Sequence, residues 1–417
     1  MPRSSLGFHT ITLSLSLESN EVKPLIKHFD KYREKTKLIE MYLADKNGDI
    51  LQVYRPSADK GYFILPLWIK IKYPKEYTGF KWSIRCNYQN DAFKSYFVEA
   101  TINPKILGGI TDYITAATYD DMETAIKNFN LEAERISPIL KDFHHYYLKR
   151  VDYCINFALN ELTPGCNYKQ IMKLIKRADI PPNYAEWVKY DYTAHEKKSK
   201  RFSFYLVNKS VDINCYSKYM ELLERLQKPG RKGYSQITPE MLDKAKDIIR
   251  FEVQFKYQKM FALNRWAEEL GNHKTNKYES LLTNEMCIDV IKDYYDKTIM
   301  RGDWHSLQYA IRRIRLHNFN IQKENRLIDA LNFVNDCKTL SDAKSEYKGE
   351  DLKAFKRTLS DLSNLGINPV TIPKNWGIKL IPNLLYAYFD KVSDESWDEK
   401  FDDISFDKSI KKYGLPV

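Results

Sequence analysis

Period-two alternation of apolar and polar residues fills the first 260 residues and then nearly stops. The N-terminal stretch "TITLSLSL" sets Ile11, Leu13, Leu15 and Leu17 against Thr10, Thr12, Ser14 and Ser16. The same pattern, or a β-branched and aromatic bias, marks 62–73, 80–88, 95–102, 149–159, 201–208, 210–217 and 248–257. Side chains two apart on a strand share a face, so each run can bury one face and leave the other polar. Helical stripes interleave with them at 120–143, 167–179 and 238–249, the last opening on Thr238, Pro239 and Glu240 as a start signal. Strands and helices that mix without a regular β-α-β beat predict an α+β domain around a largely antiparallel sheet.

Beyond residue 260 the candidates are helical: "FALNRWAEELG", "NEMCIDVIKDYYDKTIM", "LQYAIRRIRLHNF", "ENRLIDALNFVNDC" and "GEDLKAFKRTLSDLSNLG". A chain of 417 residues exceeds one simple core. The predicted organisation is an α+β domain over 1–262, whose first 90 residues are strand-rich and carry no assigned role, and a mainly helical domain over 263–390. An acidic, weakly patterned and flexible tail is predicted over 391–417, and the most loop-like insertion is "LQKPGRKGYSQ" at 226–236.

The polar faces hold the chemistry. In "KRVDYCINF", Val151, Tyr153, Ile155 and Phe157 make one face, which leaves Arg150, Asp152, Cys154 and Asn156 on the other. In "IIRFEVQFKY" the second face holds Arg250, Glu252, Gln254 and Lys256, and in "SYFVEATI" Glu99 alternates with Val98 and Ala100. A solvated sheet face with cross-strand pairs such as Arg250 to Asp152 satisfies this pattern. So does a convergence of Glu99, Asp152 and Glu252 on a hard divalent cation, Mg²⁺ or Mn²⁺, which prefers oxygen ligands. The carboxylates alone do not separate the two.

In "SVDINCYSKYMELLER" a strand turns into a helix, and Tyr216 sits at the join on the polar face, near Asn214 and Lys218. A phenol with a pKa near 10 is a poor nucleophile unless a cation lies close, and phosphodiester transfer to tyrosine meets that need. Tyr219 is the next candidate. The chain carries 66 Lys and Arg against 55 Asp and Glu, a net +11 that favours an anionic partner, nucleic acid first. Two basic clusters lie in the helical third: Arg312, Arg313 and Arg315, and Lys353, Lys356 and Arg357 at i, i+3, i+4 spacing. Either a solvated helix surface or contacts to duplex phosphates accounts for them. The six cysteines are scattered without a CxxC pair and read as reduced thiols. No bilayer-length apolar run and no signal-peptide pattern is present, so the expectation is a cytoplasmic protein without a membrane partner.

Several of these motifs, in this order, resemble the gene II type replication initiators of filamentous phages and related phage and plasmid proteins. "FVEATINPKILGG" is similar to that family's glutamate strand and following Pro-Lys-Leu-Gly segment, and "KRVDYCINF" to its Arg-x-Asp strand. "NCYSKYMEL" resembles its nucleophile motif, with Tyr216, Lys218 and Glu221 in register, "IIRFEVQFKYQKMFAL" its Arg-Phe-Glu strand, and "FKRTLSDLSNLGINPVTIPKN" its C-terminal helix, glycine turn and proline step. The resemblance covers roughly 90–385. It implies a fold related to rolling-circle Rep and HUH-like nucleases. It also implies a site-specific DNA endonuclease and strand transferase acting through a metal-assisted 5′-phosphotyrosine, with Tyr216 as nucleophile and Lys218, Arg150 and Arg250 as basic supports. Origin DNA, single-stranded or extruded with flanking duplex, is the implied partner; a host helicase and a second copy of the chain are further candidates. A relaxase or transposase of the same chemistry, or a catalytically idle origin-binding regulator, is the alternative. The adjacent His144 and His145 do not match the HxH pair of HUH enzymes, because neighbours on a strand face opposite ways.

Overall fold

The alternating runs become strands because each has one face that can leave water. A computed structural model describes residues 4–36, 40–41, 65–72, 79–89, 92–110, 114–191, 196–198, 202–227, 237–269 and 281–392. The loop-like insertion, apart from its first two residues, and the acidic tail beyond 392 lie outside the described residues. The strands are β1 (Ser5–Leu17), β2 (Glu40–Met41), β3 (Leu65–Lys72), β4 (Phe80–Gln89), β5 (Ala92–Ile102), β6 (Tyr147–Ala158) and β7 (Ala185–Glu186). A short hairpin of β8 (Lys189–Asp191) and β9 (Glu196–Lys198) follows, then β10 (Ser203–Val207), β11 (Val211–Ser217) and β12 (Ile248–Phe255), and finally the paired β13 (Trp304–His305) and β14 (Leu380–Ile381). Ten of them form one sheet in the order β2-β3-β4-β5-β1-β6-β12-β11-β10-β7, and every neighbouring pair is antiparallel. This is the α+β class with a largely antiparallel sheet.

One face of the sheet carries the main core. Leu13, Val98, Ile84, Val151, Tyr153, Ile155, Phe251 and Val253 are buried on it, in the register the alternation predicts. Helix Ser19–Thr36, which the sequence reading did not single out, and helix Tyr119–Ile136 cover its β4 side: Trp82 packs on Phe29 at 5.9 Å and on Phe129 at 5.6 Å. Helix Asn284–Thr298 covers the β6–β12 side. Thr283 caps it by accepting from the Met286 amide, a bond worth about 1 kcal/mol, and its Tyr295 meets Phe157 at 6.0 Å and Phe251 at 5.3 Å. The core therefore runs without a break across the boundary expected at residue 262: buried residues from Phe8 to Leu385 belong to one cluster. Helices Leu307–Leu316, Ile321–Asp336 and Gly349–Asn364 occupy the predicted C-terminal positions.

The opposite face is polar in sequence yet buried at its centre. A second, small apolar cluster of Ile114, Ala158, Leu222, Ile237, Ala245 and Ile248 lies over it, built from helices Lys218–Gln227 and Pro239–Ala245 and the segment at 114–117. That segment docks on β1 where the Phe8 and Ala117 backbones exchange hydrogen bonds of 2.7 and 3.0 Å. The approach requires Gly7, since a β-carbon there would lie 1.9 Å from the Ala117 carbonyl oxygen. Among the described residues no helix is long and apolar enough to cross a membrane.

Candidate active site

Two breaks in strand register assemble the site. Along β1, Phe8 pairs with Tyr153 and Ile11 with Val151, so His9 and Thr10 together face the single residue Asp152. Such a bulge turns two consecutive side chains toward one side of the sheet. A second irregularity follows at once: Thr12 pairs with Arg150 but Leu13 with Leu148, which leaves Lys149 as the extra residue of β6. Leu148 and Val151 are both buried in the main core, so Lys149 and Arg150 share the polar face.

The polar face then reads across three strands. Tyr216 stands opposite Arg250 and Asn214 opposite Glu252. Arg250 stands opposite Asn156, Glu252 opposite Cys154 and Gln254 opposite Asp152. His9 Nδ1 lies 3.2 Å from Glu252 Oε2, and ligand atoms of His9, Asp152 and Glu252 all fall within 4.8 Å of one another. One imidazole nitrogen and two carboxylates make a donor set that fits a divalent cation. Arg150 already clasps Asp152, Nε donating to Oδ1 at 2.6 Å and Nη2 to Oδ2 at 2.7 Å. Each carboxylate oxygen keeps a second lone pair, so this clasp orients Asp152 without filling it.

Charge and burial pull these groups apart. Asp152 is wholly buried, and burial together with neighbouring Glu252 outweighs Arg150 and pushes its pKa up to about 7. Burial would raise Glu252 too, but His9, Arg250 and the hydrogen bond from Gln254 hold it well below the usual carboxylate range. His9, whose side chain keeps 23% of its exposure, has its pKa lowered: burial leads, Arg250 and Lys218 add to it, and together they exceed the pull of Glu252. It is neutral near pH 7, the form that ligates metals.

Tyr216 is buried, and its hydroxyl donates to Glu252 Oε2 at 3.4 Å. Burial first, then Glu252, raises its pKa well above the ordinary phenol value, against the opposing effect of Arg250. Lys218 Nζ lies 5.9 Å from the centre of the Tyr216 ring and donates to Glu221 at 2.6 Å. Burial, only partly offset by Glu221, lowers the Lys218 pKa to about 8. Arg250 is fully buried and donates to Asn156 Oδ1 at 2.7 Å and to the Ile114 carbonyl at 2.5 Å. Burial opposes its charge, yet Tyr216, Cys154 and Glu252 raise its pKa above the normal arginine value. A cavity of about 210 Å³ opens onto His9, Ser203, Asn214, Tyr216, Glu221 and Glu252.

The structure thus brings Tyr216, Lys218, Arg150, Arg250, Asp152 and Glu252 onto one patch and leaves Glu99 outside it. Glu99 pairs with Ser14 on β1, just beyond the second irregularity, and is held by Lys149 and by Arg85 at 4.0 Å. The group that lies beside Asp152 and Glu252 is His9, which the sequence reading did not select. Its signal was present: the apolar positions switch from even (Leu6, Phe8) to odd (Ile11, Leu13), the mark of a bulge. Tyr219 packs against Tyr168 at 5.9 Å, in the second apolar cluster. His144 and His145 are exposed in a 3₁₀ turn before β6. Arg312 and Arg315 are exposed on helix Leu307–Leu316, Arg313 is half-buried, and Arg315 lies 3.5 Å from Glu324. Lys353, Lys356 and Arg357 are exposed on helix Gly349–Asn364, with Lys353 donating to Glu350 at 2.7 Å.

No family model matches the chain, and no curated protein matches it. Among solved structures the chain is similar to a rolling-circle replication initiator protein from Geobacillus stearothermophilus, at 10% identity and a TM-score of 0.24, over 64% of this chain and 80% of that one.

Proposed function

We propose that the protein nicks single-stranded DNA at a specific site and holds the cut 5′-phosphate on Tyr216, the opening reaction of rolling-circle replication. The observation that carries this reading is one hydrogen bond in its setting. The Tyr216 hydroxyl points at Glu252, which also contacts His9 in a donor group completed by the buried Asp152, and Tyr216, His9 and Glu252 line an open cavity. A strand-end phenol beside such a group matches the needs of phosphodiester transfer to tyrosine.

Each residue has a defined part. A divalent cation held by His9, Asp152 and Glu252 would supply the charge that polarises the scissile phosphate. Glu252 orients the Tyr216 hydroxyl by accepting its hydrogen bond and takes its proton as the oxygen attacks. The Tyr216 oxygen attacks phosphorus, the bond to the 3′-oxygen breaks, and that oxygen leaves as a hydroxyl after taking a proton. Lys218, with a pKa of about 8, exchanges a proton near neutral pH and stands beside the ring, so it is the nearest donor for that step. Arg250 braces the strand below Tyr216 through Asn156 and the Ile114 carbonyl. Transfer of the phosphate to a new 3′-hydroxyl reverses the chemistry and releases the enzyme.

The test is cleavage of an end-labelled pool of random single-stranded oligonucleotides in Mn²⁺. The wild-type chain should cut a sequence-restricted subset, and Tyr216→Phe should cut none while binding the pool with unchanged affinity. Cleavage by the Phe variant would remove Tyr216 from this role.

A further inference from the structure

We propose that Tyr257 and Phe261 form a base-stacking subsite for single-stranded DNA, a few nucleotides along the strand from the bond that Tyr216 attacks. The proposal rests on the single-strand nickase reading above and adds to it where the unpaired strand lies.

β12 ends at Phe255 and the chain turns directly into helix Tyr257–Glu269. That helix packs through Met260 and Leu263, both buried, and turns Tyr257 and Phe261 outward with 55% and 53% of their surface exposed. The two residues are four apart, so they share a helix face, and their rings lie 5.9 Å apart at 32°. Full burial of a large apolar side chain stabilises a fold, and this pair forgoes it. Tyr147, 57% exposed, lies two residues before Lys149 at the start of β6.

The pair adjoins the candidate active site through the second register break. Lys149 Nζ lies 5.6 Å from the centre of the Tyr257 ring, and Lys149 is the neighbour of Arg150, which clasps Asp152. Along β12, Tyr257 stands five positions beyond Glu252, roughly 16 Å at the rise of an extended strand. An unpaired strand whose phosphate sits at Tyr216 and Glu252 can therefore run along the polar face and reach these rings.

The occupant follows from the chemistry. Exposed aromatic faces beside a basic face bind unpaired bases, because every base has a π-face and stacking tolerates sequence. Of the nearby cations, Lys149 pairs with Glu99, Arg150 with Asp152 and Lys256 with Asp212, while Lys259 lies over the Phe255 ring at 5.6 Å. Tyr257 and Phe261 themselves add stacking surface and no charge, so their contribution to affinity should not depend on salt. A phosphate-contacting surface would behave in the opposite way, since each phosphate contact steepens the salt dependence.

The experiment uses the full chain with Tyr216→Phe, which prevents cleavage, and a fluorescent 20-nucleotide oligothymidylate, titrated at several salt concentrations. Adding Tyr257→Ala and Phe261→Ala should weaken binding on the order of ten- to a hundredfold, the effect of losing stacking on one base, with the salt slope unchanged. The swap Tyr257→Phe with Phe261→Tyr keeps both rings and should bind within twofold of the parent. A thermal melt checks that the exposed substitutions leave the fold intact. If the parent binds the oligonucleotide and the double alanine variant binds equally well, the subsite is wrong while the nickase reading stands. If removal of the rings flattens the salt slope, the segment contacts phosphates and stacking is overturned. If the parent binds no single-stranded DNA at all, the nickase reading fails and takes the subsite with it.

Discussion

The two ends of the polar sheet face carry the same kinds of residue and differ in what surrounds them. At one end Glu99, itself buried, is matched by two cations, Lys149 and Arg85, both partly open to water. At the other end Asp152 and Glu252 are buried among His9, Arg150 and Arg250, and their pKa values are driven in opposite directions, Asp152 up and Glu252 down. Alternation puts all three carboxylates on one face. The bulge at His9 and Thr10 decides which of them gather beside an imidazole. Pairs of titratable groups whose environments push them apart are the arrangement that acid–base and metal chemistry requires.

The strongest way to break this contrast is to neutralise each carboxylate in turn. Glu252→Gln and Asp152→Asn should each weaken Mn²⁺ binding by on the order of a hundredfold or more, because an amide keeps the shape and loses the charge. Glu99→Gln should change it less than twofold. Calorimetric titration of all three variants reads the difference, and an equal loss at Glu99 would place the cation elsewhere.

The backbone offers the next contrast. Gly7→Ala should destabilise the fold by roughly 1–3 kcal/mol, since a β-carbon 1.9 Å from the Ala117 oxygen forces the covering segment off β1. Ser14→Ala, on the same strand beside Glu99, should cost a few tenths of that. Urea unfolding of the two variants compares the ends directly. Similar midpoints would mean that the covering segment is not what closes the site.

Much of this was legible in the residues themselves. Strand runs, the helical C-terminal third and the polar-face placement of Asp152, Glu252 and Tyr216 follow from side-chain period alone, which is a local property. Neighbourhood is not local. Glu99 looks equivalent to Asp152 until register sets it opposite Ser14, and His9 enters only because the apolar phase slips between Phe8 and Ile11. The equivalent slip from Leu148 to Val151 sends Lys149 toward Glu99 and Arg150 toward Asp152. The packing of helix Asn284–Thr298 is hidden for a related reason: it reads as an amphipathic helix of its own, while its partner surface is the sheet formed by β1, β6 and β12.

A smaller effect concerns protons. Asp152, at about 7, must lose its proton to bind a cation, so Mn²⁺ affinity should rise about tenfold per pH unit below 7 and level off above it. His9, with its pKa lowered, is already deprotonated near neutrality and adds no slope there. Titrations between pH 5.5 and 8 check this, and a flat profile would mean that Asp152 is ionised throughout or is not a ligand. The smallest effect belongs to the helical third. Alanine at Lys353, Lys356 and Arg357 together should lower the salt slope of duplex binding by up to about three units and leave cleavage of a short single strand unchanged. An unaltered slope would assign that helix face to solvent or to a protein partner.

The central claim is that Tyr216, at the His9 end of the polar face, makes the covalent bond to DNA. Mass spectrometry of tryptic peptides, after incubation of the wild-type chain with Mn²⁺ and a random single-stranded pool followed by denaturation, tests it most directly. The account predicts a nucleotide phosphate on the peptide that contains Tyr216, absent from Tyr216→Phe and absent when Mn²⁺ is chelated. A phosphate attached at Tyr219 or any other residue, or DNA cut with no adduct on the protein, would contradict it.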